Sequence, residues 1–281
     1  MSNMDKMVGL QEDFRCPVCL KIVTFTGNPG DVIKLKCPSC GTLGKVVFRK
    51  PEYLIEAENV HKVYTTGKIQ VHALRGINLK IKKGEMVTLM GVSGCGKTTL
   101  LNCLSGLDDV TSGVIKIEGR ELNRMSDEDK TDYRARRMGF IFQFYNLLPV
   151  LSAVENVELP LLISRENPRI AREKALKSLE MVGLKGWELH KPSELSGGQR
   201  QRVTIARSLV SNPLIVFGDE LTGDLDRETA DEIMDLICRL NEEQQLTFIL
   251  VTHDSRIADR TNRVLVMGDG VINKEYVPAH W

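Results

Sequence analysis

The stretch "EMVTLMGVSGCGKTTLLNCLSGL", residues 85–107, decides the fold. It joins a short apolar run, typical of a buried strand, to a glycine-rich turn and then to a run with helical character. Gly91, Gly96, Lys97 and Thr98 fit the phosphate-loop spacing G-x-x-x-x-G-K-[ST], in the strand-to-helix context that this motif requires. The glycines let the backbone wrap phosphates, while the lysine reaches the terminal phosphates and the threonine hydroxyl ligates Mg²⁺.

Three later segments supply the polar groups that phosphate chemistry needs. "LIVFGDE" ends an apolar strand in Asp219, a candidate magnesium partner, and Glu220, which could polarise a water. His253 follows the strand-like "TFILVT", at the sheet edge where open α/β folds bind ligands. Gln143, in "GFIFQFYN", could reach the metal or the water. Each signal alone is weak, but behind a phosphate loop the set predicts nucleotide hydrolysis.

A second anion site lies about a hundred residues further along the chain. In "ELSGGQRQRVTIARSLV", Ser196 is followed by Gly197 and Gly198 and then by a predicted helix. A hydroxyl, bare backbone N–H groups and the positive end of a helix dipole together favour an anion. The chain therefore carries two phosphate-binding helix starts.

The rest of this region alternates strands with helices, which predicts an α/β sheet. "PLIVFGDE", "TFILVTHD" and "RVLVMGDG" are short and β-branched, as interior parallel strands are. Ser152 and Glu155 have capping-box spacing, and Asn167 precedes a proline suited to the first helical position. Between two of the strands, one helix face carries Ala230, Ile233, Met234, Ile237 and Leu240.

The N-terminal segment has a different pattern. Cys16, Cys19, Cys37 and Cys40 form C-x₂-C-x₁₇-C-x₂-C, which predicts a tetrahedral four-cysteine site. Zinc is the structural default, although the same knuckles could hold a single iron. A unit of fewer than 50 residues builds little core, so the metal would supply most of its folding energy. We predict two units: residues 1–50 as a zinc-ribbon-like metal-binding unit and residues 54–275 as a nucleotide-binding domain.

Composition limits the class of protein. The 281 residues carry 38 Lys and Arg against 37 Asp and Glu, so bulk charge gives no strong nucleic-acid signal. No stretch approaches the roughly 18 to 20 apolar residues that cross a bilayer, and "MSNMDKMVGLQEDF" has no apolar signal core. We therefore expect a cytoplasmic chain whose membrane role, if any, comes through a partner.

In this order, "GVSGCGKTT", Gln143, "LSGGQRQR", "LIVFGDE", "GDLD" and His253 resemble the nucleotide-binding subunit of ABC transporters. The resemblance covers about residues 54–272, and "LSGGQ" is that family's own signature. "FQFYNLLP", "SAVENVELPLL" and "LTGDLD" are similar to the branch serving lipoprotein release, macrolide export and cell division. The implied fold is an α/β P-loop ABC ATPase domain, with a mixed sheet core and a helical subdomain, here carrying a small N-terminal β zinc ribbon.

The resemblance also implies an arrangement of sites. Two chains pair head to tail around two ATP molecules, so the phosphate loop of one and the signature of the other clamp each ATP. Tyr64 matches the aromatic residue that stacks on adenine, and Asp226 the residue that links the two sites. The expected nucleotide contacts are Tyr64, Gly91, Ser93, Gly94, Cys95, Gly96, Lys97, Thr98, Thr99 and Asp219, with Ser196, Gly197, Gly198, Gln199 and Asp226. The expected magnesium ligands are Thr98, Gln143 and Asp219, and the expected catalytic residues are Glu220, His253, Gln143 and Lys97.

Two positions depart from the family pattern. Leu221 replaces the usual proline after the catalytic glutamate, which affects local stiffness and leaves the acidic pair intact. Cys95 stands inside the phosphate loop, either as a tolerated small side chain or as a source of thiol sensitivity.

These expectations favour an ATPase subunit that powers a membrane ABC complex through a homodimer and a separate permease, for export or for work on the cell envelope. The alternative is a soluble ABC ATPase that acts on nucleic acid or ribosomes, with the ribbon as its recognition module. A purely metal-sensing protein does not explain Glu220 and His253.

Overall fold

The computed structural model describes residues 10–28, 30–48 and 51–279; residues 1–9, 29, 49 and 50 of the predicted N-terminal unit lie outside them. The strands are β1 Leu10–Arg15, β2 Ile22–Gly27, β3 Val32–Lys36, β4 Leu43–Val47, β5 Ile55–Thr66, β6 Ile69–Ile81, β7 Met86–Met90, β8 Ser112–Ile117, β9 Arg120–Glu121, β10 Met138–Ile141, β11 Ile215–Asp219, β12 Thr247–Thr252, β13 Arg263–Gly268 and β14 Val271–Tyr276. The α-helices are α1 Lys97–Leu104, α2 Asp127–Arg137, α3 Ala153–Ile163, α4 Pro168–Met181, α5 Gly197–Leu209, α6 Arg227–Gln244 and α7 Ser255–Ala258.

A six-stranded sheet forms the centre of the larger region, in the order β10-β11-β12-β7-β13-β14. Its first five strands run parallel and β14 closes it antiparallel, so the prediction of an α/β sheet is confirmed. The register pairs Asp219 with Val251 and Thr252 with Met90. The carboxyl ends of β7, β11 and β12 therefore meet at one edge, which is where ligands bind in open α/β sheets.

A second sheet, antiparallel and in the order β6-β5-β8-β9, packs over one side of this centre. Helix α1 lies between the two sheets, since Leu100, Leu101 and Leu104 share one buried cluster with Ile55 of β5 and Leu89 of β7. Burial on both sides fixes α1 firmly, and with it the turn that precedes it.

Helices α3, α4 and α5 pack together on the other side of the central sheet, through Val157, Leu179 and Val203. The predicted caps are present: Ser152 and Glu155 form a capping box, and Asn167 accepts from the backbone N–H of Arg169. The predicted apolar face of α6 is buried in the same cluster as these helices, or directly beside it. No helix among the described residues is long and apolar enough to span a bilayer.

The N-terminal region consists of two antiparallel hairpins, β1-β2 and β3-β4. Its buried core is small: Leu35, Val46 and Phe48, with Phe14, Phe25 and Ile33 packed against them. It contacts the larger region where Asp13 Oδ1 lies 3.6 Å from Arg124 Nη1. A core of this size does not by itself stabilise a unit of about 40 residues.

Candidate active site

A cavity of about 950 Å³ opens at the carboxyl ends of β7, β11 and β12. Eleven of the predicted site residues line it, although they come from segments far apart in the chain. They are Tyr64, Ser93, Gly94, Gly96, Lys97, Thr98, Thr99, Gln143, Asp219, Glu220 and His253.

The glycine-rich turn wraps the start of α1. Gly96 caps the helix with φ +104°, and a Cβ on it would lie 2.6 Å from the carbonyl oxygen of Ala73. The position therefore requires glycine for both its conformation and its space. Lys97 Nζ donates to the carbonyls of Gly91 and Val92, at 2.8 and 3.0 Å, and its side chain is mostly buried. A cation and a helix N-terminus thus face the same end of the cavity, as anion binding requires.

Asp219 and Thr98 form a pair of oxygen donors beside this turn. The Thr98 hydroxyl donates to the Asp219 carboxylate at 3.1 and 3.3 Å. Burial raises the pKa of Asp219, with a smaller contribution from the charge of Glu220. A cation bound beside Asp219 would therefore stabilise its ionised carboxylate. A carboxylate, a hydroxyl and the nearby amide of Gln143 are hard oxygen ligands, and they fit Mg²⁺.

Glu220 and His253 are in direct contact. His253 Nδ1 lies 3.0 Å from both carboxylate oxygens of Glu220. The glutamate side chain is 18% exposed and the histidine side chain 71% exposed. Glu220 adopts φ +49°, an uncommon conformation for a residue with a Cβ that often marks functional sites. The pair can hold a water and its proton in the cavity, next to the Asp219–Thr98 pair.

Tyr64 also lines the cavity, and it has partners that the sequence did not indicate. Its hydroxyl donates to Asp108 Oδ2 at 2.7 Å, and Lys62 Nζ lies 2.5 Å from the other oxygen of that carboxylate. Lys62 Nζ also lies 4.9 Å from the centre of the tyrosine ring. Burial raises the pKa of Tyr64 to about 12, so its phenol stays a donor at neutral pH. The ring is thereby fixed at the cavity wall.

Eight further residues line the cavity without having been predicted: Val71, His72, Ala73 and Arg75 of β6, Val92, Val251 of β12, and Asp269 and Gly270 between β13 and β14. The alternation of apolar and polar residues in "VHALRG" is typical of a half-buried strand, and nothing in the local sequence distinguishes these residues from ordinary strand and turn positions. Arg75 N–H donates to the Gly270 carbonyl, which joins the two segments at the cavity wall.

Two of the predicted phosphate-loop contacts, Gly91 and Cys95, do not line the cavity. Cys95 is 5% exposed, and a Cβ added to Gly91 would lie 2.8 Å from its sulfur. The thiol therefore lies beneath the turn, as a small packing residue. Leu221, at the family's proline position, is also buried and packs over Gly218.

The remaining expected nucleotide contacts do not line this cavity. They are Ser196, Gly197, Gly198 and Gln199 of the signature, together with Asp226. Ser196 caps α5: its hydroxyl accepts from the Gln199 N–H at 3.2 Å, and its own N–H donates to Gln199 Oε1 at 2.9 Å. A Cβ on Gly198 would lie 2.6 Å from a methyl group of Thr229, whose N–H and hydroxyl donate to Asp226. The structure thus separates the two anion sites within one chain.

Helix α5 is joined to the loop that follows Gln143. Arg207 donates to the carbonyls of Tyr145 and Asn146, both at 2.7 Å, and these two residues have φ +56° and +50°. Arg200 lies over the Tyr145 ring, 5.2 Å from its centre. These contacts join the loop to the signature helix α5. The sequence did not indicate them.

The four N-terminal cysteines lie together. Their sulfur atoms are all within 4.8 Å of one another, with 3.4 Å between Cys16 and Cys40 and 3.6 Å between Cys19 and Cys37. A tetrahedron of zinc–sulfur bonds near 2.3 Å has sulfur–sulfur edges of about 3.8 Å, so the donor set fits zinc. Hydrogen bonding from the backbone of Cys19 lowers the pKa of Cys16 to about 6. The pKa of Cys19 is raised to about 11, because burial and the three neighbouring thiols outweigh a backbone hydrogen bond with Lys21.

The sequence of this chain is similar to those of known ATP-binding proteins. The family model described as ABC transporter matches residues 74–223. The lipoprotein-releasing system ATP-binding protein LolD of Pseudoalteromonas translucida (strain TAC 125) is 46% identical over 219 residues, covering 78% of this chain and 94% of that protein. The LolD protein of Xanthomonas campestris pv. campestris (strain 8004) is 44% identical over 237 residues, covering 84% of this chain and 99% of its own length.

Solved structures are similar as well. A dimeric, post-hydrolysis state of the ATP-binding cassette MJ0796 bound to ADP and Pi is 41% identical, with a TM-score of 0.74 over 81% of this chain and all of that one. The predicted α/β ABC ATPase fold is confirmed, and so are the predicted family and enzyme class. The N-terminal cysteine cluster lies outside the span of the family model. The chain belongs to the ABC transporter family, as one of its ATP-hydrolysing, nucleotide-binding subunits.

Proposed function

We propose that this chain powers a membrane ABC complex by closing, as a homodimer, around two ATP molecules. The observation that carries the proposal is the separation of the two anion sites. Lys97, Thr98 and Glu220 line one cavity, whereas Ser196 lies away from it. A signature placed so is free to serve the nucleotide of a second copy. ATP then becomes part of the interface, and loss of its γ-phosphate removes the charge-assisted contacts that hold the halves together.

The residues of the cavity divide the chemistry among them. Mg²⁺, when bound by Thr98, Asp219 and Gln143, neutralises charge on the phosphates. Lys97 and the N–H groups at the start of α1 hold the terminal phosphates. Glu220 accepts a proton from the attacking water, because its carboxylate is held at the γ-phosphate end of the cavity. His253 orients that carboxylate through the 3.0 Å contact and can turn toward the phosphate.

A membrane partner is supported by an apolar surface beside Gln143. Between residues 144 and 163 the chain exposes large apolar side chains: Phe144, Leu148, Val150, Leu162 and Ile163. Exposed large apolar side chains grouped in one segment are typical of a protein interface. We assign it to cytoplasmic segments of a separate membrane-spanning permease, which would hold this chain at the inner face of the cell membrane. The names of the relatives favour lipoprotein release as the output of that complex.

The four cysteines are best explained as a zinc site. Residues 1–50 are then a zinc-ribbon unit added to an ABC ATPase domain at 54–275, with the seam near Pro51. The sulfur spacing supports a single tetrahedral ion, and zinc is the common occupant of such four-thiolate sites. Iron remains the alternative occupant, distinguished by its colour.

The alternative function, action on nucleic acid or ribosomes through the ribbon, has less support. Of the aromatic side chains described in the ribbon, Phe48 is buried, and Phe14 and Phe25 are partly buried against the same core. Base stacking, the usual device for holding single strands, therefore has no exposed platform there.

The test of the ATPase proposal is Glu220→Gln, compared with Glu243→Gln, an exposed carboxylate near the end of α6. We expect Glu220→Gln to bind Mg-ATP about as tightly as the unmodified chain, to accumulate as a nucleotide-bound dimer and to lose at least about a hundredfold in turnover, because only proton transfer is removed. Glu243→Gln should match the unmodified chain. Near-normal turnover by Glu220→Gln would show that another group takes the proton.

A further inference from the structure

The outer side of hairpin β3-β4 carries a regular pattern that ATP hydrolysis does not use. Alternate residues turn inward, where Ile33, Leu35 and Val46 join the small core. The other residues form an exposed row, which we call the lysine face: Val32, Lys34, Lys36, Leu43, Lys45 and Val47.

The lysine face is cationic, and its charges are not neutralised within the described part of the chain. Lys34 lies directly opposite Lys45 in the strand register, and Lys36 lies opposite Leu43. Like charges at opposed positions destabilise a hairpin. Of the acidic side chains that the structure describes in the ribbon, Asp13 lies beside Arg124 and Asp31 accepts from the Asn28 N–H. The three lysines make none of the ion pairs found among the described residues. An external anion would offset this repulsion.

An apolar tip adjoins the lysine face at the cysteine end. Leu43 is 79% exposed, Val18 68% and Leu20 60%. Val18 and Leu20 flank Cys19, and Leu43 follows Cys40 by three residues, so the close approach of the sulfurs brings these side chains around one end of the ribbon. Burial of three large aliphatic side chains is favourable, and nothing else in the described chain covers them.

We propose that the lysine face and this apolar tip dock on an anionic lipid bilayer. Aliphatic side chains enter the headgroup boundary while lysine ammonium groups stay at the level of the phosphates, and both contributions add to binding. A nucleic acid would match the lysines alone, because the exposed residues beside them are aliphatic and offer no surface for base stacking. The ribbon is then a second membrane contact of this subunit, separate from the permease surface between residues 144 and 163.

The test uses the full chain with its metal, sedimented with vesicles. One set is phosphatidylcholine alone and the other contains about one third phosphatidylglycerol, which supplies the negative surface. The variant is Lys34→Glu with Lys45→Glu. Because it replaces one opposed like-charge pair by another, the hairpin's own electrostatics change little. The matched control is Lys82→Glu with Lys83→Glu, two exposed lysines on the turn between β6 and β7 that make no described ion pair.

We expect binding to the anionic vesicles only, about a tenfold or larger loss for Lys34→Glu with Lys45→Glu, and less than about a twofold loss for the control pair. Leu43→Ser should weaken binding while leaving its salt dependence unchanged, since it removes apolar burial and no charge. Bound metal and basal ATPase activity, measured on every variant, should stay at the unmodified level, which separates this proposal from that of the ATP cycle. Equal losses in both lysine pairs, no vesicle binding, or lysine-dependent binding of duplex DNA without vesicle binding would each overturn it.

Discussion

At the scale of single residues, the cavity is shaped by side chains that fix its working groups. Asp108 receives both the Tyr64 hydroxyl and the Lys62 ammonium, so the aromatic ring has a fixed position before any nucleotide arrives. His253 does the same for Glu220. Preorganisation of this kind lowers the cost of ordering groups on binding.

Tyr64 gives the prediction at this scale. We expect Tyr64→Ala to weaken ATP binding by about 1 to 2 kcal/mol, since the stacking ring is lost. Tyr64→Phe keeps the ring and loses only the hydrogen bond to Asp108, so its loss should be smaller, about 0.5 to 1 kcal/mol. Titration calorimetry with ATP measures both. Equal losses would mean that the hydroxyl, rather than the ring, carries the contact.

At the scale of elements, the loop between β10 and α3 is held by buried polar groups. Asn156 is fully buried: its side-chain oxygen accepts from the Leu148 N–H, and its amide nitrogen lies within 3.2 Å of the carbonyls of Leu148, Leu151 and Ser152, to which its two N–H groups can donate. Arg207 adds two more at the other end of the loop. A surface loop with so many satisfied backbone groups moves as a unit rather than residue by residue.

The ribbon, also an element, depends on its metal. Elemental analysis should find about one zinc per chain, and Cys37→Ser should lose that zinc and unfold the N-terminal hairpins, because the small core cannot hold them alone. Basal ATPase activity should persist, since the cavity is built from residues between 64 and 270. Cys238→Ser, a half-buried thiol on α6, is the matched control and should keep the zinc. Absence of metal, or a coloured iron protein, would contradict the zinc assignment.

Whether a contact could be predicted from the sequence depends on how many positions separate its two residues in the chain. The phosphate loop, the capping box at Ser152 and the paired cysteine knuckles are local patterns, in which spacing dictates geometry. Asp108 meets Tyr64 across 44 positions and Arg207 meets Tyr145 across 62. Such contacts arise from how α1 and α5 pack, and no local pattern specifies them. The burial of Cys95 likewise follows from the path of the turn rather than from residue type.

At the scale of the whole molecule, the sharing of sites between two copies can be tested by mixing two inactive variants, Lys97→Ala and Ser196→Arg. Each homodimer has two damaged sites. In a mixed dimer with shared sites, one site collects both lesions and the other receives an intact phosphate loop and an intact signature. We therefore expect nucleotide occupancy at one site, with partial recovery of turnover. Both must be measured, because strict cooperativity could silence a single good site.

If each chain used its own Ser196 on its own nucleotide, mixing would restore neither occupancy nor turnover. Lys97→Ala mixed with itself is the baseline for both measurements. A mixed dimer without a bound nucleotide would thus count against the shared arrangement.

The two hydrogen bonds of Arg207 to the loop have a consequence for the timing of ATP hydrolysis at the two sites. They tie the Gln143 loop, next to the surface assigned to the permease, to the helix that begins at Ser196. In a head-to-tail pair that helix closes over the other copy's nucleotide. A movement of the loop in one subunit would then shift α5 of that subunit against the ATP bound by its partner. Hydrolysis at one site would therefore affect hydrolysis at the other. We therefore expect hydrolysis at the two sites to be coupled, which would appear as a sigmoidal rise of the ATPase rate with ATP concentration.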